Sequence, residues 1–145
     1  MEAVILCGVQ GSGKSTLCRH RFLGTHEHVS LDVLRSRGRE AELVRACLDG
    51  RRPFVVDNTN PTPADRRRYI EPARAAGFKV VGYLVEAAAG EAFARAEIPP
   101  GRKAATARAF QRPTPEEGFD ELWHASATPD GGWRIEPLLT TPPLF

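Results

Sequence analysis

Gly8-Val9-Gln10-Gly11-Ser12-Gly13-Lys14-Ser15 is the stretch that decides the architecture, because it fills G-x-x-x-x-G-K-[ST] at every fixed position. Glycines let such a backbone turn its N–H groups inward around anionic oxygens, and the positive end of the following helix adds to the attraction. The pattern makes Gly8, Gln10, Gly11, Ser12, Gly13, Lys14, Ser15 and Thr16 the candidate phosphate-binding residues. Lys14 is suited to reach β- and γ-phosphates, and the Ser15 hydroxyl to enter a Mg²⁺ shell. Thr16 has two readings, a first-turn residue bonded to backbone or a contact to the α-phosphate. A glycine-rich turn without a ligand is the alternative for the whole loop. Its setting argues against that: it stands directly after the apolar run Ala3 to Cys7 and before a helix.

Working outward, Ala3 to Cys7 reads as a central parallel strand buried on both faces. A helix is expected from Lys14 to Phe22, a strand from His28 to Leu31, and a helix from Arg39 to Asp49 with Gly50 beyond it. Pro53 to Asp57 is a third strand, followed by the turn Asn58-Thr59-Asn60-Pro61. Thr62-Pro63 then supplies an N-cap with proline at the first helical position. That helix runs to about Ala76 before Gly77, and Pro72 is expected to bend it or to start a second turn. Phe78 to Val85 is a fourth strand. Helices are expected over Ala87 to Glu97, over 103–111 and, briefly, from Pro115 to Leu122, with a last strand from Trp133 to Leu138. Strands alternating with helices specify an α/β fold, a parallel sheet flanked by helices on both faces. No repeat or linker divides the 145 residues, so one domain over 1–145 is expected, ending in a proline-containing tail.

Composition narrows the partners. Twenty Lys and Arg against eighteen Asp and Glu leave a formal charge of +2, too little to argue for nucleic acid by itself. Lysine occurs only at 14, 79 and 103, so nearly all of the positive charge is arginine. Arginine suits forked contacts with phosphate, although a coding bias accounts for it equally. Cys7, Cys18 and Cys47 have no CxxC or CxxxC spacing, which fits a reducing cytosol better than a disulfide scaffold. Histidines 20, 26, 28 and 124 have no ligand spacing, so no transition-metal site is expected. No signal peptide and no membrane span is legible, and a cytoplasmic protein without membrane contact is the expectation.

Two further stations carry chemistry. Ser30-Leu31-Asp32-Val33-Leu34-Arg35 sets a carboxylate and a guanidinium three apart at the C-terminal end of the second strand, where open α/β sheets bind ligands. Asp32 can orient and deprotonate an acceptor hydroxyl while Arg35 offsets charge on the transferred group. The plainer reading is an N-cap aspartate and a solvated arginine. Asp57 ends the apolar strand Phe54-Val55-Val56-Asp57 and is a candidate to hold Mg²⁺ through water, or to brace the turn that follows. Asp65 and Arg66 are either a surface pair or substrate contacts. Arg95, Arg102 and Arg108 are either lid arginines over the phosphates or exposed positions on alanine-rich helices. Trp123 and Trp133 read as packing rather than as base-stacking platforms.

GVQGSGKST, SLDVLR and VVDNTNPTPADRRRYI, in that order, resemble the kinase domain of the polynucleotide 5′-hydroxyl kinase family within the P-loop kinase group. PTPEEGFDEL over 113–122 is similar to a further segment of that family, so the resemblance covers about residues 3–124. It implies a P-loop kinase-type sheet with a small helical lid at about 93–112, ATP as donor and Mg²⁺ as cofactor. Lys14 and Ser15 would hold phosphate and metal. Asp32 would be the general base, and Arg35 would bridge the acceptor's phosphate and the reacting centre. The implied acceptor is a nucleic acid 5′-hydroxyl end or a 3′-nucleotide. In the lid the chain departs from the family: Arg95 is the only basic residue between Phe93 and Pro99, so it acts alone or Arg102 replaces a missing partner. The sequence also holds neither the phosphatase nor the ligase domain of many relatives, so it is expected to phosphorylate an end without healing a 3′-phosphate. Two other classes remain: a kinase for a nucleoside, sugar or similar alcohol, and an ATP-binding or nucleotidase module without a dedicated acceptor. Monomer and homodimer are both open.

Overall fold

Among the described residues, six strands form one sheet in the order β2-β3-β1-β4-β5-β6. The computed structural model describes residues 1–86 and 110–138. In chain order the elements are β1 (Glu2–Cys7), α1 (Lys14–Arg21), β2 (Glu27–Val29), α2 (Leu31–Leu34), α3 (Arg37–Asp49), β3 (Phe54–Asp57), α4 (Pro63–Ala75), β4 (Lys79–Val85), β5 (Glu121–Ala127) and β6 (Trp133–Pro137). The first five strands in the sheet order pair parallel, and β6 runs antiparallel to β5.

The central position of β1 follows from its composition. Ala3 to Cys7 are all fully buried between β3 and β4, and only an unbroken apolar run can lie there without stranding a polar side chain. Alternation then distributes the run between two cores. Ala3, Ile5 and Cys7 join Val44, Cys47, Tyr69 and Ile70 on the side of α3 and α4, whereas Val4 and Leu6 join Leu17, Cys18 and Phe22 of α1 on the other. Gly82 of β4 makes room for a ring: a Cβ there would lie 2.5 Å from Phe119.

The helix ends obey their local signals. Ser36 caps α3 by accepting from Arg39 N, and Thr62 caps α4 by accepting from Asp65 N. Pro72 neither ends α4 nor divides it, and the helix continues to Ala75. The segment expected to be helical from Pro115 to Leu122 is corrected. Only Pro115–Glu117 form a single 3-10 turn, and Glu121 already belongs to β5, paired with Val81. Gly118 (φ 112°) ends the turn, and the Asp120 carboxylate accepts from Val80 N, which fixes the next strand against β4. The second strand is shorter than expected, because Leu31 already begins a one-turn helix. Trp123, Trp133 and Ile135 pack against the α1-side core. The three cysteines are buried and free. No described helix is long and apolar enough to cross a membrane. The lid expected over 93–112 lies outside the described residues except for 110–112.

Candidate active site

The loop between β1 and α1 takes its shape from glycine. Gly11 (φ 83°) and Gly13 (φ 104°) hold left-handed conformations that a side chain would strain. Gly8 serves a different need: a Cβ on it would lie 2.5 Å from the Val85 carbonyl and 2.7 Å from Ser12 Oγ. Gly8 N donates to Thr59 O at 3.1 Å, which ties the loop to the turn after β3. That turn is itself clamped. Asn60, at φ 47°, donates from Nδ2 to Leu6 O at 2.7 Å, and Arg66 Nη1 donates to Asn60 O at 2.8 Å.

Lys14 Nζ donates to Gly8 O at 2.7 Å and Val9 O at 3.1 Å, so its ammonium lies across the loop's own carbonyls. Burial lowers its pKa, opposed by the nearby carboxylates of Asp57 and Asp32. A phosphate arriving in the loop would relieve this by giving the buried cation an anionic partner. Ser15 Oγ donates to Asp57 Oδ2 at 3.1 Å, so the two hard oxygen donors expected to serve Mg²⁺ meet at the start of α1. Ser12 Oγ is buried and has no hydrogen-bond partner among the described residues. A glycine-shaped loop, an available hydroxyl, a buried cation and paired oxygen donors fit a nucleoside triphosphate with Mg²⁺.

A cavity of about 510 Å³ opens beside the loop, and Gln10, Gly11, Gly13, Lys14, Ser15 and Thr16 form its donor wall. The facing wall is Leu31, Asp32, Arg37, Asp57 to Pro61, and Asp65. The structure therefore brings Asp32 and Asp57 to the loop. Arg35 is placed differently from the sequence expectation: it ends α2 in a left-handed conformation (φ 64°), is exposed, and is not among the cavity-lining residues. Arg35 stands just past the end of α2, and its left-handed backbone takes it off the helical path that would have kept it on the same face as Asp32. Arg37 occupies the wall instead.

Arg37 is held by two groups, one on its own helix and one on α4. Its Nη1 donates to Glu40 Oε1 at 2.9 Å and Tyr69 OH at 3.0 Å. Glu40 is fully buried, accepts from Tyr69 OH at 2.8 Å and from Asn58 Nδ2 at 2.7 Å, and so faces three donors. Asn58 Oδ1 accepts from Leu31 N at 3.0 Å and thereby anchors the short helix that carries Asp32. Burial, then the bond to Glu40, pushes the Tyr69 phenol up to about 12. Sequence reading missed Arg37, Glu40 and Tyr69: the first two stand in no motif, and Tyr69 stands near the end of the quoted stretch Val55 to Ile70 without a role being read for it.

Arg66 is neither a surface partner nor a ligand contact. It is fully buried and forked onto Glu117, Nε to Oε1 at 2.6 Å and Nη2 to Oε2 at 3.0 Å. Asp65 instead accepts from Thr62 Oγ1 at 2.8 Å and touches the cavity. Arg95, Arg102 and Arg108 lie outside the described residues. Glu86 and Arg112, just inside the described boundaries, pair at 3.1 Å.

A family model described as an AAA domain matches residues 35–114, more than half of the chain. The bifunctional polynucleotide phosphatase/kinase of Schizosaccharomyces pombe is 29 % identical over 134 residues, 83 % of this chain and 32 % of that protein. The chain thus spans about a third of the length of the curated relative it matches. Chaetomium thermophilum Kti12, solved in complex with ADP-AlF3, is 14 % identical with a TM-score of 0.66, covering 86 % of this chain and 88 % of its own. A gluconokinase from Sinorhizobium meliloti 1021 is 16 % identical with a TM-score of 0.59, covering 86 % of this chain and 82 % of its own. These two likenesses are of fold.

Proposed function

The chain belongs to the AAA domain family, and within it we propose a kinase that transfers the γ-phosphoryl group of ATP to the 5′-hydroxyl of a polynucleotide or 3′-nucleotide. One observation carries the reading: Asp32 and Arg37 line the same cavity as Lys14 and Ser15. A carboxylate facing a phosphate cradle is what an alcohol acceptor needs, and a guanidinium beside it suits an acceptor that carries its own phosphate. The 29 % identity to the S. pombe phosphatase/kinase supports the choice of acceptor.

In this reading the loop amides and Lys14 bind the donor phosphates. Ser15 and Asp57 would hold Mg²⁺, which would supply positive charge to offset that of the donor phosphates. Asp32 orients the acceptor hydroxyl and takes its proton as the phosphoryl group moves. Arg37 holds the acceptor's phosphate, the role the family resemblance assigns to Arg35. Arg95 or Arg102 would cover the transferring group from the lid. Since the transition state is loose, these groups work mainly by placement and by offsetting charge.

The test is transfer of labelled γ-phosphate from ATP to matched 5′-hydroxyl DNA, 5′-hydroxyl RNA, a 3′-nucleotide and a nucleoside. Label should appear on acceptors that carry a phosphate next to the hydroxyl and not on the nucleoside. Preference for the nucleoside would replace the acceptor half of the proposal with a small-molecule kinase. ATP hydrolysis with every acceptor unlabelled would replace it with a nucleotidase.

A further inference from the structure

Asp57 Oδ2 accepts two bonds, from Ser15 Oγ at 3.1 Å and from His28 Nε2 at 3.0 Å, and only the first belongs to the phosphate site. Cys18 of α1 completes a cluster on the second side: a sulfur, a ring nitrogen and a carboxylate oxygen from Cys18, His28 and Asp57 all lie within 4.8 Å of one another. Three separate elements, α1, β2 and β3, bring them together, which is why spacings of ten and twenty-nine residues gave no ligand motif.

We propose that Cys18, His28 and Asp57 bind a soft divalent cation of the Zn²⁺ type, and that its binding blocks the Mg²⁺ site through the shared Asp57 oxygen. The donor set decides the ion class. A thiolate and an imidazole suit Zn²⁺ or Co²⁺, whereas Mg²⁺ takes oxygen ligands in an octahedron. Bonds of roughly 2.0–2.3 Å in a tetrahedron put ligand atoms about 3.3–3.6 Å apart, so the cluster needs only side-chain adjustments of several tenths of an ångström to over an ångström. Cys18 and Asp57 are buried, and the His28 side chain is 30 % exposed, which leaves one open side for entry and a fourth ligand from water. On binding, sulfur–metal, nitrogen–metal and oxygen–metal bonds form, the thiol proton leaves to solvent, and no electron is transferred. The hydrogen bonds from His28 and Ser15 to Oδ2 are given up. That loss turns occupation into inhibition, since Ser15 and Asp57 then cease to share one binding geometry.

The inhibitory part rests on the kinase reading, but the site does not, so the test begins with metal alone. Co²⁺ is titrated into the protein, and the thiolate-to-cobalt charge-transfer band in the near ultraviolet is followed. One equivalent should produce the band in the natural chain, and Cys18→Ser should abolish it while Cys7 and Cys47 remain. His28→Gln keeps the thiol but should weaken Co²⁺ binding by about tenfold or more. Absence of the band in the natural chain, or its persistence in folded Cys18→Ser (checked by circular dichroism), overturns the proposal. Zn²⁺ should then inhibit Mg²⁺-ATP phosphotransfer by the natural chain, and EDTA followed by excess Mg²⁺ should restore it. Cys18→Ser should keep its basal transfer rate and need about tenfold more Zn²⁺ for the same inhibition. Equal zinc sensitivity of the two chains removes the regulatory claim. A chain that shows the band but phosphorylates nothing leaves the site standing and the kinase reading fallen.

Discussion

On the donor wall of the cleft the chemistry is carried by backbone in a shape that glycines permit, whereas on the facing wall it is carried by side chains that hold one another in place. Gly8, Gly11 and Gly13 give the loop its curve, and their spacing is compact enough to read from eight consecutive letters. Arg37 and Asn58 of the facing wall are joined with Glu40 and Tyr69 by five bonds of 3.1 Å or shorter. A backbone device tolerates almost any side chain that leaves its curve intact. A side-chain network anchored on a buried carboxylate tolerates little, because each member satisfies another.

The contrast predicts the largest effects on the donor wall. Gly8→Ala puts a methyl against a backbone carbonyl that cannot rotate away, so the loop must shift. Displacement of that order should cost about 10²-fold or more in kcat/KM, with ATP affinity falling as well. Lys14→Ala should weaken both nucleotide binding and turnover. A Gly8→Ala chain that binds ATP normally would show that the loop's curve matters less than the geometry implies. Asp32→Asn separates the walls more sharply. Turnover should fall by about 10²–10⁴-fold while ATP affinity measured by titration stays nearly intact. Unchanged turnover would remove the base assignment.

Arg37 on the facing wall and Arg35 outside the cavity sharpen the comparison next. Arg37→Ala should raise the KM for a phosphate-bearing acceptor by about tenfold with little change in the KM for ATP, as loss of one charged contact implies. Arg35→Ala, on an exposed side chain outside the cavity, should change either value by no more than about twofold, a few tenths of a kcal/mol. The opposite ranking would return the acceptor role to Arg35, and would mean that α2 rearranges when acceptor binds.

Why Asp32 was legible and Arg37 was not follows from the same contrast. The alternating order of strands and helices, the loop and the aspartate that ends β3 are encoded within short windows, where apolar runs and glycines act locally. Arg37 owes its place to Glu40 three residues away and to Tyr69 thirty-two residues away, a pairing set by how α3 and α4 pack on the sheet. Arg66 was misread for a related reason. An arginine among three consecutive ones looks like a solvated face, but its forked bond to Glu117 lies fifty-one residues off. Strand β5 escaped because its apolar positions are interrupted by His124 and Ser126, and its parallel pairing with β4 supplies what its composition lacks. The histidine at 28 was set aside for want of spacing, yet the sheet carries it to Asp57.

Tyr69 gives the smallest and most physical test of the facing wall. Its hydroxyl donates to Glu40 and accepts from Arg37 and Asn58, so Tyr69→Phe removes three bonds but leaves Glu40 with two donors. The cost at neutral pH should be about 1–2 kcal/mol in urea unfolding, with Arg37 less firmly held and the acceptor KM modestly raised. Alkali adds a signature that simple loss of packing would not give. Burial and the bond to Glu40 raise the folded phenol from 10.0 to about 12. A group whose folded pKa is raised contributes stability that is fully present below its unfolded pKa, and that is lost as pH rises through the folded value. Stability of the natural chain should therefore decline between about pH 10 and pH 12, in part because unfolding releases the Tyr69 proton. In Tyr69→Phe that part of the decline should be missing. The two chains would then converge in stability as pH rises, and parallel curves would show that burial and the bond to Glu40 do not raise the folded phenol's pKa.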